Sequence, residues 1–300
     1  MNPKHIILTL LLMLCPIGMA AQSTITRNKP KPAVTKHKPA AKPKPKAKTK
    51  PAPRRNNTSH SGSTNSTTGL SAELNKLIND MVYVSGGTFT MGGTSEQGSD
   101  AESDEKPTHS VTLSSYYICK YEVTQALWRA VMGSNPSYFK GDNLPVEQVS
   151  WNDCQTFINR LNSYTGRNFR LPTEAEWEFA ARGGNYSRHY KYSGSNYIGD
   201  VAWYDGNSGN RTHPVGTKQA NELGLHDMSG NVYEWCSDWY GSYSSYSQSN
   251  PTGAASGSDR VERGGGWFNY ARRCRSSCRN GRTPGYSCLD LGLRLVLSQL

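Results

Sequence analysis

Three hundred residues allow one large domain or two small ones, and the formal net charge of +11 invites a polyanion-binding reading. The placement of the charge excludes it for the body. Residues 1–66 hold 13 of the 34 Lys and Arg and no Asp or Glu, leaving 21 basic against 23 acidic residues over the remainder, a net of −2. The body therefore has no basic excess for nucleic acid, and the positive charge belongs to an N-terminal tail.

The chain opens on a short basic start, an apolar run from Ile6 to Cys15 and small residues at Gly18 and Ala20. This reads as a secretory signal over 1–20 and predicts export to the periplasm, the cell envelope or the medium. The run is too short to span a bilayer. A lipid anchor on Cys15 is a minor alternative, because Leu14 stands where such a signal wants a small residue. Residues 21–69 read as linker, first Lys/Pro-rich and then Ser/Thr-rich. Alternating Lys and Pro repel and stiffen into polyproline II, so residues 29–53 could span roughly 75 Å at ~3.1 Å each. A solvated spacer is the simplest use, with contact to an anionic envelope surface as a second. Six cysteines remain beyond the signal: Cys119, Cys154, Cys236, Cys274, Cys278 and Cys288. An even number in an exported chain predicts disulfides, with the pairing left open.

The folded domain is expected over 70–300. Met81–Met91 alternates like a hairpin turning at Gly86-Gly87. His109–Leu113 alternates again and leads into Tyr116–Tyr121. Thr124 caps a helix over Gln125–Met132, stopped by Gly133. Ser150 and Asp153 form a capping box for Trp151–Tyr164. Thr173 and Glu176 start a third helix that runs to about Arg182. Beyond it only short strands and turns are expected, with no glycine-rich strand-to-helix motif of a dinucleotide fold. Glu174, Glu176 and Glu178 invite an acid–base reading, but acidic residues in a first helical turn also suit the helix dipole, and a capped helix burying Trp177 and Phe179 is the better account. The seven histidines are scattered and suggest no iron triad.

Several segments stand in a telling order: Met81–Gly92, Tyr121-Glu-Val-Thr124, Pro145–Asp153, Arg170–Gly184, Gly224–Trp235, Arg263-Gly-Gly-Gly-Trp267 and Leu291-Gly-Leu-Arg294. Together they resemble the formylglycine-generating enzyme, or sulfatase-modifying factor, family over about 80–298. The resemblance implies an α+β, loop-rich fold of the C-type-lectin-like kind. It also implies the family's chemistry, in which copper held by two cysteines uses oxygen to convert a substrate cysteine to formylglycine.

By the same resemblance a structural calcium falls at the side chains of Asp227 and Glu234 and the carbonyls of Gly230 and Val232. Hard oxygen donors on a tight loop suit that ion. The alternative is a hydrogen-bonded turn with Glu234 in a salt bridge. At the catalytic positions the family has a Ser, a Cys-His pair and a second Cys. Here they read Gly266, Asn269, Tyr270 and Cys274. Copper(I) wants two thiolates, and a carboxamide oxygen is a poor substitute. Cys278, four residues after Cys274, would share a helical face with it. Arg272, Arg273 and Arg275 would then lower a thiol pKa, although a structural disulfide and carboxylate-paired arginines are the simpler expectation. Two functions follow. One is an exported module without oxidase activity, binding an envelope protein or glycan. The other is an active enzyme working through Cys274: the copper oxidase, or another thiol- or metal-dependent modifier.

Overall fold

The computed structural model describes residues 64–298. The signal, Cys15 and the Lys/Pro tail lie outside the described residues. In chain order the elements are α1 (Thr64–Asn79), β1 (Met81–Val84), β2 (Gly87–Met91), β3 (His109–Leu113), β4 (Tyr116–Cys119), α2 (Gln125–Met132), α3 (Trp151–Thr165), α4 (Glu174–Ala181) and α5 (Ile198–Val201). Then follow β5 (Tyr233–Trp239), β6 (Gln248–Ser249), β7 (Arg260–Arg263), β8 (Arg279–Arg282), β9 (Leu291–Gly292) and β10 (Val296–Leu297). The strands make three small sheets, ordered β1-β4-β10, β2-β3-β6 and β8-β7-β5-β9. This is the α+β, loop-rich architecture that the sequence pattern implied.

The three expected helices form where their caps stand. Thr124 Oγ1 accepts from Leu127 N, and Gly133 ends α2 in the left-handed region at φ 78°. Capping boxes start α3 at Ser150/Asp153 and α4 at Thr173/Glu176. Two further helices form: α5, a single turn where only strands and turns were expected, and α1, which begins inside the segment expected to be linker. Leu70, Leu74, Leu77 and Ile78 follow helical spacing and pack on the core around α2 and α3.

The expected hairpin at Gly86-Gly87 does not form. β1 pairs with β4 and β2 with β3, so the two glycines mark a corner between two sheets. Sterics explain the choice of residue. A Cβ on Gly86 would stand 2.5 Å from the Leu113 carbonyl oxygen, where the matching β3–β4 corner crosses. Two apolar clusters fill the domain. One gathers α1, α2, α3 and the C-terminal strands around Trp128, Phe157 and Trp235. The other packs α4 against the sheets through Trp177 and Phe179.

Candidate functional site

The segment Gly264–Cys274 leaves β7, turns sharply and ends in a short 3-10 turn over Ala271–Cys274. Gly264 and Gly265 both hold positive φ, at 97° and 74°. The turn is pinned on three sides: Gly230 N donates to Gly264 O, Trp267 N to Asn231 O, and the Trp267 indole to Leu289 O.

Asn269 closes this turn. Gly266 N donates to Asn269 Oδ1 at 2.7 Å, and Asn269 N returns a bond to Gly266 O at 3.0 Å. Asp205 N donates to the Asn269 carbonyl. The carboxamide oxygen therefore does the work of a turn, a use to which Asn is suited. Tyr270 is exposed. At Gly266 an added Cβ would meet Asp290 Oδ2 at 2.6 Å, so a serine there would have to displace a buried carboxylate.

Cys274 is fully buried beside Tyr192 and Val201. A Cβ on Gly265 would lie 2.8 Å from its Sγ, which shows how closely the backbone covers the thiol. Burial raises the Cys274 pKa, and the neighbouring Cys278 and Asp290 raise it further. Cys278 is pushed up to about 11, again mainly by burial. The expected lowering by arginines does not occur, because desolvation outweighs their charge. Neither do the expected disulfides: all six described cysteines are free thiols. Cys119 and Cys154 sit in the helical core and Cys236 in the sheet core, each packed as a small apolar side chain. Cys274 ends its 3-10 turn and Cys278 lies beyond it, so they share no helical face. Asn269 Oδ1 is engaged and Cys274 is a covered, protonated thiol, so positions 269 and 274 do not offer copper(I) the two thiolates it wants.

Two of the three arginines, Arg273 and Arg275, pair with carboxylates. Arg275 is buried against Glu105 at 2.5 Å with Gln97 and Ser277 beside it, and Arg273 meets Glu102 at 2.8 Å. The three glutamates of α4 behave likewise. Glu174 binds Arg279 at 2.6 Å and Arg263 at 3.3 Å. Glu176 binds Arg170 and caps its helix. Glu178 binds Arg263 and Arg182. None of the three is a free acid or base.

The loop leading into β5 gathers a second buried charged group. Asp227 and Asn231 hold positive φ at 58° and 61°, as does Gly230 at 81°. Glu234 is held by Arg294 (Nη2–Oε1 2.7 Å) and by the Trp177 indole at 2.7 Å. Glu122 accepts from Asn231 Nδ2 and Val232 N. Burial, then the charges of Asp227 and Glu234, raises its pKa well above the usual carboxylate value. Asp227 Oδ2 takes the Gly216 amide, while its buried Oδ1 has no partner. Asp227 Oδ1 is thus a buried carboxylate oxygen left open on the loop where the resemblance implies calcium. Glu234 stands in the salt bridge that was its alternative reading. Sequence reasoning passed over Glu122 as a member of this group. Its signal was a lone carboxylate in the Tyr121–Thr124 motif, directly before an apolar residue and a helix cap.

Residues 67–299 match the model of the sulfatase-modifying factor enzyme 1-like domain. The chain is 37% identical to a protein named chaperone LppX from Paenibacillus barcinonensis, covering 74% of this chain and 91% of that one. It is 35% identical to the formylglycine-generating enzyme of mouse over 59% of this chain, and spans half of that enzyme's length. Among solved structures, Treponema denticola variable protein 1 superposes with a TM-score of 0.66 at 34% identity, covering 73% of this chain and 94% of the other.

Proposed function

The chain belongs to the sulfatase-modifying factor enzyme 1-like family, and from that premise we propose an exported binding or scaffold module of the cell envelope that lacks the copper-dependent oxidase activity. One observation carries the reading: Asn269 Oδ1 is committed to Gly266 N in the place where the resemblance puts the first copper-binding thiolate. The covered Cys274 supports it. A relative named a chaperone, matched over 91% of its length, fits a module that binds another protein rather than oxidises it. The signal-like start supports export, and the basic tail supports contact with an anionic envelope surface.

Calcium belongs to this proposal at Asp227, whose unpartnered buried oxygen would ligate it together with the Gly230 and Val232 carbonyls. Bound there, the ion would neutralise a buried carboxylate and hold the loop. Millimolar calcium is expected to raise the melting temperature of the chain but not of Asp227→Asn. A chain indifferent to calcium would remove the ion from the reading.

Oxygen uptake with a cysteine-containing sulfatase peptide and copper(I) tests the main reading, and none above background is expected. Turnover that disappears in Cys274→Ala would establish the oxidase instead.

A further inference from the structure

A cleft of about 680 Å³, lined by no residue of the Gly264–Cys274 turn, lies between β2, the loop over 93–96 and the segment after α4. Its volume falls in the ~300–1,000 Å³ range of small-molecule sites. Six hydroxyl side chains line it: Thr88, Thr90, Thr94, Ser95, Thr108 and Ser187, with the carboxamide of Asn185 beside them. The partly exposed Phe89 supplies an apolar floor, backed by the buried Phe179 with ring centroids 5.1 Å apart.

The charges of Arg182 and Glu96 cancel internally, and His189 is the remaining titratable side chain of the lining. Arg182 meets Glu96 at 2.5 Å and Glu178 at 2.8 Å. Its remaining donors go to Thr94 Oγ1 and Gly92 O. No guanidinium donor is left for a phosphate or carboxylate, and Glu96 is already neutralised. Thr88 already bonds Thr112, Thr94 meets Glu96 and Arg182, and the Asn185 amide donates to Ser85 O and Gly86 O, so an apolar segment would strip water chiefly from Thr90, Ser95, Thr108 and Ser187 without replacing their hydrogen bonds, which is costly. A ligand rich in hydroxyls, with one apolar ring face, suits both the lining and the floor. We infer that this cleft binds a neutral glycan, a pyranose lying against the Phe89 side while its hydroxyls exchange water for the Ser, Thr and Asn groups. The inference rests on the binding-module reading and names the ligand class it would take.

Titration calorimetry and saturation-transfer NMR on the full chain, with a panel of neutral mono- to tetrasaccharides and inorganic phosphate, test it. At least one saccharide is expected to bind, and phosphate is not. Thr88 and Thr90 are exposed strand positions, so Thr90→Arg should fill the cleft and lower affinity at least tenfold with an unchanged melting temperature. Thr88→Arg serves the same purpose should Thr90→Arg fold poorly. The inference fails if no saccharide binds, if phosphate binds in their place, or if both variants bind as the parent does. Oxygen uptake on the same preparation keeps the two readings apart: an oxidase-silent chain that ignores every saccharide overturns the glycan site alone.

Discussion

Helix α4 and the turn over Gly264–Cys274 both carry residues with catalytic potential, and they use them in opposite ways. On α4, Glu174 and Glu178 are buried and Glu176 nearly so, yet each meets an arginine. The partners of Glu174 and Glu178 at positions 263 and 279 lie 85 to 105 residues away. In the turn, Gly264, Gly265, Trp267 and Cys274 keep the motif's residues, while Gly266, Asn269 and Tyr270 stand where the resemblance puts the family's Ser and Cys-His. The carboxylates of α4 are held by charge pairs and Asn269 by backbone hydrogen bonds of the turn, and the two differ in how strongly they hold. A paired charge cannot lose its partner without stranding the other, whereas a turn amide can lose its acceptor at modest cost.

The largest expected effect sharpens that contrast. Glu178→Ala removes one of the two carboxylates that hold each of Arg263 and Arg182, leaving the fully buried Arg263 with Glu174 alone, and should destabilise the fold by about 3–5 kcal/mol, measured by urea unfolding. A loss below about 1 kcal/mol would mean that the network is not structural.

Next comes a pH effect beside α4. Burial, then the charge of Glu174, pushes the Asp238 carboxyl up to about 7 from 3.8. The native state thus keeps a proton that the unfolded chain releases. This group's contribution is full below about pH 4, is lost as pH rises to about 7, and is flat above. Asp238→Asn removes the slope. Relative to the parent it should gain on the order of 2–4 kcal/mol in moving from pH 4 to pH 8, from about 1.4 kcal/mol per pKa unit. Unfolding curves for the pair that run parallel across pH would contradict the shift.

Asn269→Ala leaves Gly266 N without its acceptor, at about 1–2 kcal/mol by thermal or urea unfolding. Asn269→Cys should cost a similar amount and still give no copper-dependent oxygen uptake, because Cys274 stays covered. The smallest effect belongs to an exposed pair. Arg129 and Asp142 are 2.9 Å apart with side chains 47% and 66% exposed, and Arg129→Ala should change stability by less than about 0.5 kcal/mol.

Much of the fold was legible because its signals are local. Thr124, Ser150 and Thr173 each cap a helix through an amide three residues on, so starts at 125, 151 and 174 could be read directly. Helix α1 was equally readable from Leu70, Leu74, Leu77 and Ile78, but the Ser/Thr-rich run before it reads as linker. At the candidate site, the identities at 266, 269, 270 and 274 were legible. The Gly266–Asn269 hydrogen bond and the cover over Cys274 were not.

The sequence by itself determined the family, the capped helices and the absence of a cysteine at position 269, because each rests on residue identity or on contacts within a few positions. Tertiary structure alone decided that β1 and β2 part at a corner, that six cysteines remain thiols, and that each α4 glutamate has an arginine. Those outcomes depend on which groups meet across long stretches of chain, and on burial strong enough to outweigh the charge of nearby arginines.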